Sequence, residues 1–219
     1  MRNISAAYMS VPSDEQTTDF IRSELLAARC PLFYPEGNKK REAESLSGYY
    51  LLLCLLRAEG RTDYIEFISK DYFGRPCFRN YPRLDFNISH ASGLAVCALG
   101  NGRRVGLDIE RIPLGIDRDR VAGHFFSRRE KKEYAAGGKT ERAFADVWTR
   151  MEAYCKYTGK GLCGEEPTEE ALSRLSFLTR MLLVDDKKYI ISLCSERLGD
   201  EGGDRELSQF FERIYVAPK

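Results

Sequence analysis

The chain has 219 residues and a mass of 25.0 kDa, with a formal net charge of +1, 43% hydrophobic residues and 31% charged residues. This is enough for one large domain or two small lobes with cores of their own, and the balance is that of a folded globular protein. A near-neutral chain lacks the overall positive charge of a nucleic-acid binder, and no apolar run approaches the ~20 residues of a membrane-spanning helix, so neither nucleic acid nor membrane is expected as a partner. The stretch MRNISAAYMSVPSDE has no long apolar segment of the signal-peptide kind. Seven cysteines form no CxxC pair, and several lie in apolar runs such as LLLCLL and LAVCAL, where a thiol packs as a small hydrophobe. A cytoplasmic protein with reduced thiols is the expectation.

An extended segment over residues 3–10 precedes a helix over residues 14–29, where Phe20, Ile21, Leu25 and Leu26 recur at helical spacing. Pro31 ends it. A long apolar helix follows over residues 40–57, KREAESLSGYYLLLCLLR. Gly48 inside it costs stability relative to Ala, which predicts close packing at that point. IEFISKDYFGRPCF has the pattern of a strand and then a turn at Gly74-Arg75-Pro76. From Phe86 onward three antiparallel strands are expected, one ending at FNIS, one over residues 94–99 and one over residues 105–110. Asn101–Gly102 predicts a tight hairpin between the last two, because both residues tolerate the positive φ of a type I′ turn. That hairpin would bring one end of the third strand near the loop at residues 90–93.

Pro113 and Gly115 mark a linker, dividing the chain into lobes of residues 1–113 and 114–219. Ser127-x-x-Glu130 is a capping box that starts a helix, broken at Gly137–Gly138. Thr140 caps the next helix, ERAFADVWTRMEAYCKYT, which Gly159 stops. Strands over residues 176–184 and 188–194, joined at Asp185–Asp186, lead to a loop at GDEGGDRE and a last strand near residues 210–216. The order helix, helix, strands occurs twice, which suggests two α+β halves.

Asp108 and Glu110 lie two apart on the strand VGLDIE, so they share a face, while Leu107 and Ile109 share the other. The two carboxylates are about one pleat repeat (~6.5–7 Å) apart, close enough to hold a hard cation, although the strand alone is that of an ordinary acidic face in water. Trp148, Glu152 and Lys156 are spaced by four along the helix and line one stripe. Glu152 and Lys156 could be a surface ion pair; the only Trp of the chain in the stripe, and the TGKGL segment behind it, suggest an anion site instead.

FNISHAS, VGLDIE and WTRMEAYCKYTGKGL, in that order, resemble the signatures of the Sfp-type 4′-phosphopantetheinyl transferases, roughly N-[IL]-S-H-S, G-[IV]-D-[IV]-E and W-[TS]-x-K-E-[AS]-x-x-K-x-x-G-x-G-L. The FFSRRE segment, the GRPCF turn and the KREAESLSG helix start fit the same pattern, so the resemblance covers about residues 31–165. It implies an α+β fold of two similar lobes related by a pseudo-twofold axis, with the active site in the cleft between them. It also implies transfer of phosphopantetheine from coenzyme A to a serine of an apo acyl or peptidyl carrier protein, releasing 3′,5′-ADP. Displacement at a pyrophosphate needs charge neutralisation more than covalent help, which suits Mg²⁺ and basic side chains.

By this resemblance Asp108, Glu110 and Glu152 are the metal ligands, with Asp108, Glu152 and Lys156 the catalytic set. Glu152 would take the serine proton and Lys156 would neutralise the pyrophosphate. Ser89 and His90 would hold coenzyme A phosphates, Arg75 and Pro76 would lie against the nucleotide, and Lys40 and Arg41 would meet the 3′-phosphate at a helix N-terminus. Trp148 is expected as a packing anchor. Relatives with one α+β unit assemble as trimers; a chain with two implies a monomer. The basic stretch at residues 128–132 suits an acidic carrier protein, of fatty-acid or secondary-metabolite synthesis. Met151 and Ala91 depart from residues common among relatives, while Glu44 stands where some relatives have Arg and others carry the A-E-x-L-x-G form seen here. Alternatives on the same residues are a Mg²⁺-dependent phosphohydrolase and a coenzyme A- or carrier-binding module with weakened catalysis.

Overall fold

The computed structural model describes residues 4–33, 37–162 and 167–197, with the backbone of residues 215–216. Helix α1 (Glu15–Ala27) starts where the Asp14 carboxylate accepts from the backbone N–H of Thr17, and α2 (Lys39–Ala58) where Asn38 accepts from Arg41. Each cap satisfies an N–H that the first helical turn leaves without a partner. Ile21 and Leu25 of α1 are buried, and α2 is buried along most of its length through Leu46, Leu52, Leu53 and Leu56. The expectation at Gly48 holds: a Cβ there would stand 2.4 Å from Ile88 Cγ2.

Strands β1 (Ile4–Ser10), β4 (Leu84–Ala91) and β5 (Leu94–Asn101) form one antiparallel sheet, with the short strand β9 (Tyr215–Val216) parallel to β1. A 3₁₀ turn (Thr62–Phe67) leads to a small hairpin of β2 (Ile68–Lys70) and β3 (Pro76–Phe78), so the expected strand begins only at Ile68. The second sheet has the order β6-β8-β7, from β6 (Val105–Ile112), β7 (Leu175–Val184) and β8 (Lys187–Glu196). Asp185 and Asp186 form its two-residue turn, both at positive φ. Helices α3 (Arg118–Phe125), α4 (Arg128–Ala136), α5 (Glu141–Thr158) and α6 (Glu169–Ser173) complete the elements, with the capping box at Ser127, the Thr140 cap and the left-handed stop at Gly159 all as expected.

One expectation is corrected. Asn101–Gly102 is not a hairpin turn: β5 pairs with β1 and β4, whereas β6 pairs with β8 in the other sheet. Only Gly102 of the two takes positive φ, so the type I′ requirement is unmet. The tight hairpin is instead Ser92–Gly93, at φ 46° and 88°, joining β4 to β5. The chain therefore changes sheet at residues 102–104, and the strand carrying Asp108 lies in one sheet with β7 and β8. The expected last strand near residues 210–216 is described only at β9, and the GDEGGDRE loop and Cys163 lie outside the described residues.

The two sheets pack face to face. Ile4, Ala6, Leu94, Val96 and Ala98 of the first meet Val105, Leu107, Ile109, Ile191 and Leu193 of the second in one apolar cluster. Period-two alternation turns the intervening residues outward. There α2 covers the first sheet (Cys97 and Leu99 face Leu46 and Leu53), and α5 covers the second, with Ala153 against Leu175 and Cys194. The layering is helix, sheet, sheet, helix, a mixed α+β fold. No helix of the described residues is long and apolar enough to cross a membrane, and every described cysteine is free.

Candidate active site

Gly106, Asp108 and Glu110 occupy the face of β6 that α5 covers. The acidic face is therefore not a wet one: Asp108 is only 4% exposed. Gly106 makes the approach possible, since a Cβ there would lie 2.0 Å from the Ala153 carbonyl oxygen and 2.5 Å from the Tyr157 nitrogen. Helix and strand backbones come closer than any side chain would allow.

Lys156 reaches from α5 into this seam. Its ammonium donates to Asp108 Oδ1 at 2.6 Å and to Ser89 Oγ at 2.7 Å, and Ser89 donates in turn to the same Oδ1 at 3.0 Å. Asp108 Oδ2 is buried without a hydrogen-bond partner. Glu110 is pushed up to about 7 by burial and then by the Asp108 charge, while a hydrogen bond from the Trp148 side chain partly offsets both. Burial and Asp108 also raise the Glu152 pKa, against the pull of Lys156. The three carboxylates thus sense one another across one seam with too little positive charge for all of them. Among the described residues no three His, Cys, Asp or Glu side chains stand as a ready-formed metal cage. The donor chemistry nevertheless fits a hard divalent cation: carboxylate oxygens, one of them buried and unpartnered, in a site short of positive charge.

Strand β4 supplies the opposite wall. Asp85, Asn87 and Ser89 point away from α2 and towards β6. Asp85 Oδ2 accepts from Val105 N and Asn87 Oδ1 from Leu107 N, both at 2.9 Å, so these side chains cap the strand edge that β8 leaves free. Arg75 locks the junction. Its guanidinium makes a bidentate pair with Asp85 at 2.7 Å for each bond and also donates to the carbonyls of Phe86, Val105 and Lys156. Its N–H groups are thus committed inside the protein. Pro76 opens β3 directly behind it.

Alternation separates the two residues of the Ser-His pair. Ser89 turns in to Asp108, whereas His90, half exposed, turns to α2, where its Nδ1 is 3.5 Å from Glu44 Oε2. Burial lowers the His90 pKa, opposed by the Glu44 charge. Lys40 and Arg41 are exposed in the first turn of α2, with Lys40 Nζ 4.0 Å from Glu44 Oε1. Met151 lines a groove of about 480 Å³ together with Phe126, Tyr154, Leu172 and Phe177, and none of Ser89, Asp108, Glu110, Glu152 or Lys156 is among its lining residues.

The chain is similar to the members of one known family. The model of the 4′-phosphopantetheinyl transferase superfamily matches residues 104–199. The 4′-phosphopantetheinyl transferase Sfp of Bacillus subtilis (strain 168) is 30% identical over 159 residues, covering 70% of this chain and 67% of that protein. A second Bacillus subtilis transferase, ffp, is 30% identical over 168 residues, 73% of this chain and 71% of its own length. The chain belongs to the 4′-phosphopantetheinyl transferase superfamily. HetI of Nostoc, also a 4′-phosphopantetheinyl transferase by name, is 36% identical over 90 residues, 40% of this chain and 38% of its own length.

Four residues of this candidate site escaped sequence reasoning. Asp85 and Asn87 alternate with Phe86 and Ile88 on the strand that ends in Ser89, and that period-two pattern was the available signal. Trp148 was expected only to pack; it does pack on Phe144 and Phe125, and its side chain also lowers the Glu110 pKa. Nothing local to Glu44 marks it as a partner of His90, 46 residues on.

Proposed function

We propose that the chain transfers the 4′-phosphopantetheine arm of coenzyme A to a serine of an apo carrier protein, in a Mg²⁺-dependent reaction that releases 3′,5′-ADP. The observation that carries this is the Lys156–Asp108–Ser89 cluster set beside Glu110 and Glu152 in one buried seam. Asp108, Glu110 and Glu152 would hold the metal, whose chemistry would be to neutralise charge on the pyrophosphate oxygens. The serine oxygen forms a bond to the β-phosphorus, the bond from that phosphorus to the bridging oxygen breaks, and 3′,5′-ADP leaves with the electron pair. Glu152 takes the serine proton, for which its raised pKa is suited. Lys156 is held at the seam and offers its ammonium to the phosphates. Lys40, Arg41, Ser89 and His90 form the phosphate side of the coenzyme site, and Arg75 and Pro76 support it.

Two halves, each a sheet with its covering helix, would work as a monomer with the site at their seam. The exposed Arg128, Arg129, Lys131 and Lys132 of α4 make a docking surface for an acidic carrier.

The test is incubation with Mg²⁺, coenzyme A and apo carrier proteins, with mass spectrometry of the carrier. A phosphopantetheine adduct is expected; free phosphopantetheine without a carrier adduct would point to a phosphohydrolase, and tight coenzyme A binding without turnover to a binding module. Glu152→Gln should lower kcat by about 10²-fold or more with the fold intact, and retained activity would remove it as the base. Reversing charge at Arg128 and Arg129 should raise the KM for carrier several-fold and leave the KM for coenzyme A alone.

A further inference from the structure

Glu44 is a buried carboxylate, 7% exposed, in the second turn of α2, the least expected residue type beside a site for phosphates. It does not face open solvent, as a surface acid would. Its Oε2 lies 3.5 Å from His90 Nδ1 and its Oε1 lies 4.0 Å from Lys40 Nζ, so it stands between two of the groups assigned to the coenzyme phosphates. Helix α2 is held firmly there: Gly48, one turn further on, packs against Ile88 on the strand that carries His90. The carboxylate and the imidazole are therefore presented to each other by two packed elements rather than by flexible loops.

We propose that Glu44 is the positioning residue for His90, setting the imidazole with Nδ1 towards α2 and Nε2 towards the coenzyme. A carboxylate on one ring nitrogen determines which nitrogen carries the proton and steadies the ring when it becomes cationic. When a phosphate reaches Nε2, the imidazole lies between two anions and takes up a proton, so it donates to Glu44 from one side and to phosphate from the other. Without Glu44 the ring would be free to turn, and its proton would settle on either nitrogen. Glu44 would not touch the phosphate itself. Lys40, at the longer distance and mostly exposed, balances the charge of the carboxylate on its other oxygen. This rests on the transferase reading, in which His90 meets a coenzyme A phosphate.

Two measurements test it. Long-range ¹H–¹⁵N NMR of the histidine rings in the whole protein should show the His90 proton on Nδ1 without coenzyme A and both nitrogens protonated with it. Glu44→Gln, close to isosteric, should raise the KM for coenzyme A about tenfold with kcat within about twofold, and the double variant Glu44→Gln/His90→Ala should be no worse than His90→Ala alone. Thermal melting checks that each variant is folded, and the wild-type spectrum stands whether or not one fails. If His90→Ala weakens coenzyme A binding while Glu44→Gln does not, or if the free ring carries its proton on Nε2, the positioning part is wrong and the transferase reading survives. If His90→Ala itself binds coenzyme A as wild type does, the placement of His90 in the site is wrong, and the part given to Glu44 goes with it.

Discussion

Glu110 is where the charge deficit of the site is easiest to measure. Its ordinary carboxylate value is 4.5, and burial beside Asp108 moves it to about 7 in the folded protein. Between those values the folded state keeps a proton that the unfolded chain has lost. The stability it contributes is present below pH 4.5 and is lost as pH rises to about 7. In metal-free buffer, Glu110→Gln should therefore gain on the wild type across that window and melt higher at pH 7.5, with the difference closing again below pH 4.5. Adding Mg²⁺ should recover the wild type and leave the variant largely unmoved, because a divalent cation opposes the same repulsion that the substitution removes. Parallel melting profiles for the two proteins would show that the acids do not repel one another across the seam. Among the described residues Lys156 is the one cation seated on Asp108, and it is already shared with Ser89.

The contact between α5 and β6 sets the distances of the site, and it depends on a missing side chain. Gly106→Ala places a methyl group 2.0 Å from a carbonyl oxygen and 2.5 Å from a nitrogen, both backbone atoms of α5. Neither can rotate out of the way, so the helix has to move. A loss of about 1–3 kcal/mol or more is expected in denaturant unfolding. Activity should fall further than the folded fraction does, because Glu152 and Lys156 ride on the displaced helix while Asp108 does not. A variant that is destabilised but has unchanged kcat would mean that the seam tolerates a wider spacing. Polar side chains do similar work at the other edge of β6, where Asp85 and Asn87 occupy N–H groups that a neighbouring strand would otherwise take.

Across the molecule, the two sheets are joined by an apolar interior and by polar contacts, among them a knot around Arg75. Arg75 comes from the β2–β3 turn, Asp85 from β4, the Val105 carbonyl from β6 and the Lys156 carbonyl from α5, so a single guanidinium ties together parts of both halves. Arg75 and Asp85 are both largely out of solvent, at 7% and 13% side-chain exposure. Arg75→Ala strands the Asp85 charge and should cost about 3–5 kcal/mol in global stability. Lys at this position keeps the charge without the planar fork and should recover only part of the loss, measurable as an intermediate midpoint in urea. Equal stability for the wild type and Arg75→Ala would leave the knot without an energetic part.

The sequence alone determined what local physics controls. Asp14, Ser127 and Thr140 start helices because their oxygens accept from free first-turn N–H groups, and Gly159 ends one because it takes positive φ without a Cβ. The motifs around Ser89, Asp108 and Glu152 carried the family, since order and spacing along a chain survive without coordinates. Strand partners did not follow in the same way. Asn101–Gly102 has the residue types of a hairpin, yet long-range pairing of β6 with β8 outweighed that local preference and moved Asp108 into the second sheet. Only the tertiary structure decided that the Asp108 face lies under α5 instead of in water, that Arg75 is spent on Asp85, and that Ser89 and His90 turn to different partners. The reason is common to all three: burial and charge pairing depend on elements far apart in the chain, whose approach is set by packing and not by spacing.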